Sequence, residues 1–211
     1  MLWTAGVSTL CLLVCLPLYM HYKSQLRYGL AVCFKVLGTL CAASLAMIAA
    51  ARLDPRCWIL FAGLTIHAVA DALLEYNLYL GACFFLGGHI CYLCFFTNLF
   101  PVTAVQLICA LCLLTVTAVV FWKMRKAIGK QMPLFAVYGG VLSVMCACAI
   151  GGLTGQTLQG ILIASGGALF FVSDTILFRR TIVPCSRCTD WFILITYYSA
   201  QLLFGISSLL I

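Results

Sequence analysis

The chain alternates long apolar runs with short polar turns, and that alternation sets its elements. Eight stretches are predominantly apolar: 2–20, 28–51, 57–77, 79–98, 100–122, 132–150, 156–178 and 190–211. Each is long enough to cross a ~30 Å hydrocarbon core as a helix. The runs are continuous, without the apolar–polar alternation over about ten positions that marks a membrane strand. The pattern predicts an all-α polytopic membrane bundle of about eight transmembrane helices. No linker is long enough to divide it, so 1–211 is expected to form one domain, and no internal repeat or low-complexity tract is recognisable.

Composition agrees with this reading. The chain is 65% hydrophobic and 8% charged, with a mean hydropathy of +1.16, a balance no water-soluble domain of this size could carry on its surface. The formal charge of +7 is scattered over short connections instead of forming a basic face, which argues against nucleic acid as a partner. Its use is topological. The connections 20–27, 123–131 and 179–189 hold Lys23, Arg27, Lys123, Arg125, Lys126, Lys130, Arg179, Arg180 and Arg187, whereas the opposite side has Arg52 and Arg56. That bias puts the first group in the cytosol and both termini on the far side. The first run lacks the basic leader and cleavage signal of a secretory peptide and is expected to be a true span.

Most of the fourteen cysteines fall inside spans, where Cys acts as a small hydrophobe. Cys91/Cys94 and Cys185/Cys188 each form a CxxC, but a zinc site wants four convergent ligands and nothing in the sequence joins the pairs. Neither a metal nor a cofactor is expected.

A charge facing hydrocarbon is costly, so ionisable residues inside spans should face the bundle interior. Here they are Lys35, His67, Asp71, Glu75, His89 and Asp174, joined by Tyr92, Tyr138, Tyr197, Tyr198 and Gln201. Counting from the span ends at 1.5 Å per residue, Lys35 sits ~10 Å in from the cytosolic face. Asp71, Asp174, Tyr197 and Tyr198 lie at similar depths from that face, with His89 and Gln201 deeper. His67, Asp71 and Glu75, in "HAVADALLE", repeat every four residues and share one helix face. Gly167 precedes Asp174 by two turns on a face with room for a close neighbour or a bulky ligand. These positions predict a polar pocket opening toward the cytosolic leaflet, although a buried ion pair of Lys35 with Asp71 or Asp174 that only fixes helix register fits the same residues.

The blocks "AVCFKVLGTL", "HAVADALL", "GGHICYLCFF", "MPLFAVYGG", "GALFFVSDTIL" and "TYYSAQLLF", in that order, resemble the YhhN-like lysoplasmalogenase family of small eight-span membrane proteins. The chain departs from the family pattern at Ala70-Asp71, where Gly-Asp is usual, and in the Pro133–Tyr138 spacing. The N-terminal region carries no matching motif. The resemblance implies hydrolysis of the sn-1 vinyl ether of a lysoplasmalogen, with a lysophospholipid as substrate and the bilayer as surroundings. That chemistry needs a carboxylic acid holding a proton at neutral pH and a second carboxylate to stabilise cation and orient water. Asp71 and Asp174 are the implied catalytic pair, in either order. Lys35, His67, Glu75, His89, Tyr92, Tyr138, Tyr197, Tyr198 and Gln201 are the implied substrate-binding or hydrogen-bonding shell. A small-solute transporter and a metal-dependent lipid amidase or esterase using His67, His89 and an aspartate on zinc are the competing classes. An endomembrane such as the endoplasmic reticulum is the expected location, and the oligomeric state is left open.

Overall fold

In the computed structural model, which describes residues 2–183 and 185–211, helix boundaries follow capping chemistry more closely than hydropathy. Helix α1 runs through Leu2–Thr9, a π-helical stretch Leu10–Cys15, and Leu16–Ser24. The irregular stretch lies just before Pro17, whose ring and missing N–H disrupt regular helical bonding. There follow α2 Tyr28–Arg52, α3 Cys57–Leu74, α4 Leu78–Leu99, α5 Ala104–Ile128, α6 Met132–Gly151, α7 Leu158–Ile182 and α8 Arg187–Ser207. Eight helices among the described residues are long and apolar enough to span a membrane.

Two expected boundaries move for identifiable reasons. The third span ends at Leu74, not 77, because Asn77 adopts extended backbone and its side chain accepts the Tyr79 and Leu80 N–H groups, starting α4. The fifth begins at Ala104, not 100, where Thr103 and Gln106 form a capping box. It then continues to Ile128, so Lys123, Arg125 and Lys126 lie on the helix and not in a loop. Arg125 and Lys126 occupy its last turn, where cations complement the carbonyl end. Arg179 and Arg180 likewise end α7, and Thr157 and Ser186 cap α7 and α8.

The packing order is a ring, α2–α3–α4–α6–α7–α8 and back to α2, with α1 outside against α2 and α5 outside against α6. Burial agrees: in the span window of α5 only 11% of residues are buried, against 67% in that of α8. This order repeats. Helices α1–α4 meet one another as α5–α8 do, and α4 joins α6 as α8 joins α2. Gly63 of α3 lies eight residues before Asp71, and Gly166 of α7 lies eight before Asp174. A Cβ on Gly63 would come within 2.7 Å of the Tyr92 ring of α4, and one on Gly166 within 2.7 Å of the Phe204 ring of α8. The two halves are therefore built alike, although apart from this glycine–aspartate spacing their sequences conceal it.

Candidate functional site

The third helix of each half carries one buried aspartate, and each is held by the second helix of its own half and the fourth helix of the other. Asp71 Oδ2 accepts from Thr39 Oγ1 of α2 at 2.5 Å and from the Tyr197 hydroxyl of α8 at 2.8 Å. Asp174 Oδ2 accepts from the Tyr138 hydroxyl of α6 and lies 3.2 Å from His89 Nε2 of α4. His89 Nε2 is also 3.1 Å from that tyrosine hydroxyl.

The surroundings of the two carboxylates then diverge. Lys35 Nζ is 3.8 Å from Asp71 Oδ1 and donates to Glu75 Oε1 at 3.0 Å. Glu75 also takes hydrogen bonds from Lys23 Nζ, 2.9 Å to Oε2, and from the Tyr19 hydroxyl at 2.6 Å. Two cations and two acids thus form one network through α1, α2 and α3. Among the described residues the partners of Asp174 are His89 and Tyr138.

Asp71 and Asp174 line one cavity of about 200 Å³ together with Lys35, Glu75 and Tyr197. Its wall also includes Lys23, Arg180 and Asp190. Every one of these residues comes from the end of the bundle holding the turns at 25–27, 75–77 and 183–186, the side that carries the excess of basic residues. Arg180 Nε and Asp190 Oδ1 pair at 2.5 Å, joining the end of α7 to the start of α8.

Not all of the sequence-based candidates reach this cavity. His67 shares the Asp71–Glu75 stripe, yet its ring is enclosed by Phe85, His89, Tyr92 and Phe170 at centroid distances of 4.7–5.3 Å. Gly88 admits it, since a Cβ there would lie 2.7 Å from the imidazole. Neither ring nitrogen of His67 has a side-chain hydrogen-bond partner among the described residues. Tyr92 donates to Gln201 Oε1 at 2.5 Å deeper in the core. Tyr198 donates to the Lys35 carbonyl at 3.0 Å, a contact between helices and not part of the cavity wall. Lys35 pairs with Asp71 and Glu75, not with Asp174. The room beside Gly167 is taken by a close neighbour, with Ala149 Cβ 2.5 Å from where its Cβ would stand.

The sequence reading missed Tyr19, Lys23 and Thr39 as parts of the network and assigned Asp190 no chemistry. Two of these carried a usable signal. Thr39 follows Lys35 by four residues, and Tyr19 precedes Lys23 by four, each pair on one helix face. Among the described residues, no three His, Cys, Asp or Glu side chains are grouped so as to hold a metal ion.

Fold and site together define a small polytopic membrane protein with an ionisable cavity confined to one end of its bundle. The chain belongs to the YhhN family, whose model it matches over residues 30–208. The match covers α2 onward and leaves α1, with Tyr19 and Lys23, outside. No curated protein and no solved structure matches the chain.

Proposed function

We propose that the protein is a lysoplasmalogenase-type hydrolase of an endomembrane, for which the endoplasmic reticulum is the default, cleaving the sn-1 vinyl ether of lysoplasmalogens. The observation that carries the reading is the convergence of two buried aspartates, from equivalent places in the two halves, on one polar cavity at a membrane face. One carboxylic acid of the pair donates its proton to the outer vinylic carbon, and the electron pair of the double bond forms the new C–H bond. The resulting oxocarbenium ion is stabilised by the second, ionised carboxylate, which orients water toward the cationic carbon and takes its proton. The hemiacetal so formed collapses as its hydroxyl proton moves to the ether oxygen, releasing a fatty aldehyde and the glycerophospho alcohol. Water is the one co-reactant, and the cycle closes when the proton taken up by the second carboxylate passes through water in the cavity to the first. Tyr138 and His89 orient Asp174, while Thr39 and Tyr197 orient Asp71. Lys35, with Lys23 and Arg180 nearer the rim, supplies positive charge for a phosphate.

A transporter could use such a repeat, but the other end of the bundle is filled by Phe95, Phe96, Phe204 and Ala42, Ala46, Ala49 and Ala50 of α2, all buried, which opposes a polar route across both leaflets. Purified protein incubated with a lysoplasmalogen and with its saturated ether analogue tests the proposal. Aldehyde should appear from the vinyl compound alone, and D71N and D174N should each lower turnover by about 10²–10⁴-fold. Near-normal turnover in folded D71N and D174N would remove the carboxylates from the chemistry.

A further inference from the structure

A second, narrow hollow of about 70 Å³ abuts the polar cavity, and the two share Leu74, Leu78, Phe85, Asp174, Leu177 and Thr181. Its remaining wall is almost wholly apolar and includes Val116, Val120 and Phe121 of α5 and Gly139 and Leu142 of α6. Under the repeat described above, α5 and α6 correspond to α1 and α2, so the two hollows occupy related places in the two halves. Their linings differ in character: the α1–α2 side presents Tyr19, Lys23 and Lys35, whereas the α5–α6 side carries no charge and is hydrocarbon apart from Thr117 and Tyr138. The apolar hollow also reaches the bilayer, because α5 packs on α6 rather than closely on α4, and Val116 at its rim is 52% exposed.

We infer that the two hollows form one amphiphile site in which the apolar one takes the first methylenes of the single hydrocarbon chain of a lysophospholipid, the rest of the chain running out between α4 and α5 into the bilayer. A narrow slot suits one chain and not the two of a diacyl lipid. Lys23, Lys35 and Arg180 lie on the headgroup side of the junction. Asp174, which borders both hollows, then stands where the chain joins the glycerol. This inference deepens the hydrolase reading by assigning the substrate's orientation, and it rests on that reading for the identity of the lipid.

A saturated ether lysophospholipid with a diazirine on the chain a few carbons from the ether oxygen tests it in nanodiscs, because photolabelling reads binding without requiring turnover. Cross-links should map to the α5 and α7 segments around Val116, Val120 and Phe178. Val120→Trp should lower that labelling by about tenfold or more. Val116→Trp, at a lipid-exposed position where a larger side chain is readily accommodated, should act in the same direction if Val120→Trp folds poorly. Labelling that falls on other helices, or that neither folded variant reduces, overturns the inference. Wild-type protein that labels in the slot yet releases no aldehyde from a lysoplasmalogen would sink the hydrolase reading and leave the lipid site standing. Cleavage with labelling elsewhere would do the reverse.

Discussion

Lys35 is the residue on which the polar network turns. Its side chain is 6% exposed and touches both Asp71 and Glu75, whereas Lys23, also on Glu75, is 29% exposed. Removing a buried cation leaves its acids uncompensated, at a cost of about 3–5 kcal/mol, while a partly solvated pair contributes much less. Lys35→Met should therefore lower the thermal unfolding midpoint in detergent well beyond Lys23→Met, and equal shifts would show that the network is solvated. The sequence exposed Lys35, Asp71, Glu75 and Asp174 as candidates because charge within an apolar run has few tolerable places. It did not separate Asp71 from His67, since both satisfy the same four-residue spacing. What divides them is the bulk that α4 and α7 bring: Phe85, Tyr92 and Phe170 enclose His67, and no spacing within α3 announces that.

At the scale of elements, spans were legible and their ends were not. Hydropathy located the eight membrane-length helices, but Asn77 and the Thr103–Gln106 capping box decided where two boundaries fall, through backbone N–H satisfaction that hydropathy does not register. Helix approach was likewise hidden in single glycines. Gly63 and Gly166 each seat an aromatic ring from the following helix, with no space for a Cβ. Gly63→Ala and Gly166→Ala should each destabilise the protein by about 1–3 kcal/mol through overpacking. Gly29→Ala, at a position with nothing within 4 Å of the added atom, should be near neutral. Denaturation of the three variants side by side checks the ordering, and a Gly29→Ala loss as large as the others would contradict it.

For the whole molecule, the division of labour between halves is the main architectural fact. Each aspartate is completed by a residue from the opposite half, Tyr197 for Asp71 and His89 for Asp174, so neither half holds a finished site. The sequence disclosed the depth shared by these residues but not their pairing, because pairing depends on the ring order, in which α4 passes over α5 to meet α6. Hydropathy also could not show that α1 enters the network, since Lys23 counted there as one more loop cation.

The turn at 100–103 between α4 and α5 is consequently a seam. Severing the backbone there cuts no helix and separates two four-helix pieces whose mating faces are already shaped for each other. Fragments 1–101 and 102–211, produced in the same cell, should associate and co-purify as a stable pair, whereas a cut within α3 should not yield one. Such reassembly would show that the contacts between the halves, and not the continuity of the chain, hold the bundle together.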